Sequence, residues 1–188
     1  MSETPLLVTV SGPPASGTST LATRLADEFD LERLNGGDVF RTMAAECGMD
    51  LPEFSRLAET DDGIDEELDD RLEREIDAHL EGRRSSADES RGLLVESRLA
   101  GWHADGRATL AIGLVAPVAV RADRIDDRSE TVAELRARER SEAERYRSYY
   151  GLEVDDLSVY DLVVNTHVLS PEGVFRTART ALEDVGES

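Results

Sequence analysis

Apolar residues along the chain follow two periodicities that alternate from one end to the other. The short continuous runs Leu6-Leu7-Val8-Thr9-Val10, Leu93-Leu94-Val95 and Leu110 to Val115 predict strands buried on both faces. A weaker run near Leu31–Leu34 and a last one from Tyr160 to Val164 bring the expected number to about five. Between these runs the spacing is helical. Leu21, Ala22 and Leu25 mark a helix that ends near Asp30. Val39 to Glu46 reads as a helix capped by Asp38 and ended by Gly48, followed by a helical stretch over Leu51 to Ala58. Ile64, Leu68, Leu72, Ile76 and Leu80 predict one helix from about Glu59, with a single apolar stripe and a solvated acidic face. Pro117 opens a helix bearing Arg121, Arg124 and Arg128. The charged segment from Thr131 to Tyr150 is helical and stops at Gly151. Ser170-Pro171-Glu172 reads as N-cap, first-turn proline and first-turn acid of a closing helix.

This alternation implies an α/β fold: a parallel sheet covered by helices on both faces, with ligands at the carboxyl ends of the strands. A chain of 188 residues without internal repeats suits one domain. Gly82 to Gly92 reads as an exposed connection. The segments expected to move are 38–80 and 126–150, each lying between strands.

The stretch that carries chemistry follows the first strand. Gly12-Pro13-Pro14-Ala15-Ser16-Gly17-Thr18-Ser19-Thr20 lies between a strand and an amphipathic helix, so loop amides and the helix dipole converge on one point suited to phosphate. The spacing is that of the phosphate-binding loop G-x-x-x-x-G-K-[ST], except that Thr18 stands in the lysine position. Ser19 offers a hydroxyl for Mg²⁺. The cation that would reach the outer phosphates is missing.

Composition narrows the class. The chain carries 41 acidic and 21 basic residues, a net charge of −20. Every basic residue is arginine. Such a lysine-free acidic surface reads as adaptation to a salt-loaded cytoplasm, unstable at low salt, and it argues against nucleic acid as a partner. No apolar run approaches the ~20 residues of a spanning helix, and nothing reads as a signal peptide. The expected location is therefore cytoplasmic. The single Cys47 excludes an internal disulfide, and the scattered His79, His103 and His167 read as surface or packing residues rather than metal ligands.

Phosphoryl transfer needs cations at several strand ends to neutralise the charge that spreads over the moving group. Arg41, Arg98, Arg124 and Arg128 occupy such places. Arg138, Glu142 and Arg145 share one helix face, a pattern that fits either a phosphate-and-ribose site or a solvated helix with internal ion pairs.

Several longer motifs carry a family resemblance. Beyond the loop these are Gly36-Gly37-Asp38-Val39-Phe40-Arg41, Glu96-Ser97-Arg98-Leu99-Ala100-Gly101-Trp102, Arg121-Ala122-Asp123-Arg124-Ile125, the segment 138–145 with Tyr146, and Asp156 to Thr166. Together they resemble the archaeal type of cytidylate kinase over nearly the whole chain. The resemblance implies an adenylate-kinase-like P-loop fold, acting as a monomer on ATP with CMP or dCMP and using Mg²⁺. It further implies that residues 12–20 hold the donor phosphates and that Ser19 faces the metal. Asp38, Arg41, Arg98, Arg138 and Arg145 would bind the acceptor, with Glu142 on its ribose. Arg98, Arg124 and Arg128 would serve the transfer, the latter two from the donor side or lid. Thr18 for lysine and Ser97 for a customary glycine are the departures. Two other readings stay open: a nucleotide-binding regulator without turnover, and a kinase for AMP or UMP.

Overall fold

The five strands Leu6–Ser11 (β1), Leu31–Asn35 (β2), Gly92–Glu96 (β3), Leu110–Val115 (β4) and Leu162–Asn165 (β5) form one parallel sheet in the order β2-β3-β1-β4-β5. The computed structural model describes residues 6–58, 60–61, 63–82, 92–125 and 131–186. Arg128 lies outside this set, as do Glu59, Asp62 and most of the connection expected between Gly82 and Gly92.

Helices cover both faces because adjacent residues on the central strands point opposite ways. Val8, Val10, Leu94, Ile112 and Leu114 pack under Thr18–Phe29 (α1) and Pro171–Gly186 (α8), which contribute Leu21, Leu25, Phe175 and Leu182. Leu7, Leu93 and Val95 face Gly63–Leu80 (α4) and Ala100–His103 (α5) through Leu72, Ile76, Ala100 and Ala104. A smaller core of Met43, Ala44, Phe54, Ala58 and Ile64 joins Gly36–Glu46 (α2) and Leu51–Ala58 (α3) to the start of α4. The expected acceptor segment thus has its own packing beside the sheet. Val118–Arg124 (α6) and Val132–Tyr150 (α7) follow β4.

The sequence reading and the structure differ at the starts of two helices and one strand. α2 begins at Gly36 rather than Val39, and its cap is Asn35, whose side chain accepts from the Asp38 amide at 3.1 Å. Asp38 therefore donates a backbone N–H to the cap and does not provide it. α4 begins at Gly63, not near Glu59, with Asp61 Oδ1 accepting from the Gly63 amide at 3.1 Å. β5 begins at Leu162, because Tyr160 is occupied in filling the space over Gly101 and Gly113. α7 ends as its composition implies, with a Thr131–Glu134 capping box at one end and Gly151 at φ +66° at the other.

Candidate active site

The loop after β1 is shaped by what surrounds it. A Cβ on Gly12 would lie 2.5 Å from Ser16 Oγ and 2.8 Å from the Leu114 carbonyl, so only glycine fits there. Gly17 sits at φ +101° and Ala15 at φ +60°, left-handed conformations that cost an alanine about 1–3 kcal/mol.

That strain is held by bonds from behind the loop. Arg121 Nη1 donates to the Pro14 carbonyl at 3.2 Å, and Arg124 Nη1 donates to the Ala15 carbonyl at 3.2 Å. Thr166 Oγ1 donates to the Ser16 carbonyl at 2.8 Å, and Arg124 grips Thr166 through its hydroxyl and its carbonyl at 2.9 and 2.7 Å. Three successive carbonyls are thus drawn one way. The Ser16 amide closes the turn onto the Pro13 carbonyl at 3.1 Å.

In front of the loop lies a cavity of about 470 Å³ lined by Thr18, Ser19, Arg33, Arg41, Glu96, Arg98 and Glu142 among others. Glu96 is its organising group. In register it stands level with Val10 on one neighbour and Asn35 on the other, at the carboxyl edge of the sheet. Ser19 Oγ donates to Glu96 Oε1 at 2.5 Å, while Arg33 Nη2 and Asn35 Nδ2 donate to Oε2 at 2.7 and 2.5 Å. A buried carboxylate beside a loop hydroxyl is a hard-oxygen pair suited to Mg²⁺.

Opposite the loop, Arg98 Nε stands 3.8 Å from Glu142 Oε2, so β3 and α7 are linked by charge. Arg98 Nε, Glu142 Oε2, Arg145 Nε and Ser97 Oγ are all buried without a hydrogen bond. Buried polar atoms are normally satisfied, so several together in one cleft mark where a polar ligand completes the set. Burial raises the pKa of Glu142, against the pull of Arg98, Arg138 and Arg145. Arg145 Nη1 reaches Asp65 Oδ2 of α4 at 3.5 Å, and Tyr146 is held neutral by burial and by the nearby charge of Glu142. Arg98 also borders a second cavity of about 410 Å³, lined by Gly12, Pro13, Arg121, Arg136, Arg140 and Tyr160 among others.

The structure brings Thr18, Ser19, Arg41, Arg98 and Glu142 of the expected site to one cavity, with Arg145 against Asp65 beside it. Asp38 pairs with Arg41 at 2.5 Å on the exposed rim. Arg138 is exposed and acts on Glu142 through its charge. Arg124 lies behind the loop, where it borders a third cavity of about 400 Å³ with Gly17, Thr20, Arg24, Thr166 and Leu169. Glu96, Arg33 and Arg121 were not among the expected site residues. Glu96 had a legible signal, an acid at the end of an apolar strand; Arg121 and Arg33 depend on contacts distant in sequence.

The family model for the cytidylate kinase-like family matches residues 7–168. The chain belongs to that family. It is 45% identical over 183 residues to a cytidylate kinase of Haloarcula marismortui, covering 95% of this chain and 90% of the relative. A cytidylate kinase of Natronomonas pharaonis is 42% identical over 182 residues, covering 94% and 89%. Among solved structures, shikimate kinase from Bacteroides thetaiotaomicron superposes with a TM-score of 0.62 at 12% identity, covering 95% of this chain and 98% of that one. That likeness supports the fold alone. Within the cytidylate kinase-like family, the chain is thus a P-loop kinase with a five-stranded parallel sheet.

Proposed function

We propose that the chain transfers the γ-phosphate of ATP to CMP or dCMP, giving ADP and the corresponding diphosphate. The observation that carries this reading is the convergence of Arg98, Glu142 and Ser97, with buried polar atoms unsatisfied, on the cavity that the phosphate loop borders, with Arg145 beside it against Asp65.

The chemistry follows from who sits where. The loop amides and α1 dipole hold the donor phosphates, with Arg121, Arg124 and Thr166 keeping the loop in shape. The cavity flanked by Arg124, Thr166 and Leu169 takes the donor base. Arg41, Arg98 and Arg145 receive the acceptor phosphate, and Arg138 adds charge from the rim. Glu142, once ionised, accepts from a ribose hydroxyl. Ser19 and Glu96 would hold Mg²⁺, which when bound would supply positive charge to the donor phosphates. α7 delivers Glu142 and Arg145 together, so its approach to β3 and α4 completes the acceptor site and excludes water.

α2, α3, α4 and α7 are the moving parts, and the enzyme acts as a monomer. No helix of the described residues is long and apolar enough to cross a membrane. The acidic, lysine-free composition supports a salt-rich cytoplasm as the working environment and small nucleotides, not nucleic acid, as partners. Incubation with MgATP and CMP in molar KCl, followed by chromatography, should yield CDP and ADP in equal amounts. ADP without CDP, or neither, contradicts the assignment.

A further inference from the structure

Thr18 leaves the donor phosphates without the long cation that the loop motif normally carries. It lines the cavity but is several bonds shorter than a lysine. Its methyl folds back onto Gly12, 3.1 Å from where a Cβ there would stand. The arginines behind the loop are committed elsewhere: Arg121 to the Pro14 and Ala116 carbonyls and to Glu139, Arg124 to Ala15 and Thr166. Among the described residues three arginines line the cavity in front, and two belong to the acceptor side. Arg41 is tied to Asp38 and Arg98 faces Glu142.

The third is Arg33. It projects from β2 on the same strand face as Asn35, two residues on, and both side chains reach Glu96 Oε2. The other oxygen of that carboxylate holds the Ser19 hydroxyl. One carboxylate therefore separates the Arg33 guanidinium from the loop hydroxyl next to Thr18. Arg33 Nη1 also donates to Thr23 Oγ1 at 3.2 Å, one helical turn beyond Ser19, which lays the side chain along the first turns of α1. The Arg33 side chain is partly exposed and lines the cavity, and although Nε and Nη2 hold Glu96 and Nη1 holds Thr23, each terminal nitrogen keeps one further N–H to donate.

We propose that Arg33 supplies from β2 the positive charge on the donor phosphates that a lysine at position 18 would supply from α1. The inference rests on the kinase reading only in taking the loop as the ATP site. A guanidinium suits the task because it presents several donors in one plane, so it can hold Glu96 with one edge and turn another to phosphate oxygen. Pairing with Glu96 fixes its position before nucleotide arrives.

The test reads nucleotide binding in molar KCl, by calorimetry with ATP, ADP and adenosine, each with and without Mg²⁺. Arg33→Met should weaken ATP about tenfold or more, as loss of a charged hydrogen bond does, while leaving adenosine within about twofold. Introducing Thr18→Lys into that variant should restore ATP affinity, and should add much less to the unaltered protein. Arg33→Lys, which keeps the charge, should retain most of the ATP affinity. The proposal is overturned if Arg33→Met leaves ATP affinity unchanged. It is also overturned if ATP and adenosine weaken together and adding Glu96→Gln restores both with the melting temperature, because Arg33 would then serve only to neutralise Glu96. No acceptor enters these measurements. Failure of the kinase reading would appear separately, as tight ATP binding without phosphorylation of CMP.

Discussion

Ser19 at the start of α1 and Glu96 at the end of β3 are joined by a 2.5 Å hydrogen bond across the front of the phosphate loop. The two lie 77 positions apart in sequence, and the parallel pairing of β1 with β3 brings them level. This pair is where the account places the metal-bearing oxygens, so its loss should separate binding from turnover.

Glu96→Gln should lower kcat about 10²–10³-fold, the usual effect of removing one preorganised contact to the developing charge. The Mg²⁺ concentration giving half-maximal rate should rise about tenfold or more. Mg²⁺ titration of the residual activity checks this. An unchanged metal requirement would remove Glu96 from the metal site.

Glu142 gives a pH-dependent prediction for acceptor binding. Its pKa is raised by burial above the usual carboxylate value, so protons compete with the ribose hydroxyl at higher pH than they would at an exposed carboxylate. KM for CMP should therefore rise as pH falls through that raised pKa, while KM for ATP stays flat. Glu142→Gln should have a high KM for CMP that no longer varies over the same range. A profile identical to the parent would show that another group titrates.

His103 should make stability depend on pH. Its ring is buried, which opposes the charge, but Asp69 and Glu73 of α4 accept from it at 3.0 and 3.2 Å and raise its pKa above the usual value. A raised pKa in the folded state means the stabilisation is complete below the unfolded value, near 6.5, and is lost as pH rises through the folded one. The melting temperature of the parent should thus fall with rising pH across that window. His103→Gln should lose this component. Equal slopes in both proteins would contradict it.

The fold was largely legible, and the site only in part. The β1 run, Gly12, Gly17 and the α1 stripe are local signals, readable because strand, turn and helix each have their own periodicity. Asn35 capping α2 in place of Asp38 was missed because both are good caps, and the choice rests on where β2 ends. Arg121 and Thr166 bracing the Pro14 and Ser16 carbonyls could not be read locally, since β4 and β5 return them to the loop from far along the chain. From the sequence alone His103 reads as a surface or packing residue. Its charge role appears only once α4 is laid against α5.

Net charge predicts a salt requirement. At −20 the chain repels itself, and dissolved ions relieve this by shortening the screening length. The melting temperature should climb steadily from low salt to molar KCl. A flat response would mean that ion pairs such as Arg71 with Glu46 and Glu67 already balance the surface.

A kinase with Thr18 in its loop must still turn over. The direct measurement is a coupled ADP-release assay in molar KCl with MgATP, comparing CMP, dCMP, UMP and AMP. Turnover should exceed ~1 s⁻¹ with the cytidine nucleotides and be much slower with the others. Clear ATP binding without turnover on any acceptor would contradict it and make the chain a nucleotide-binding protein that has lost transfer.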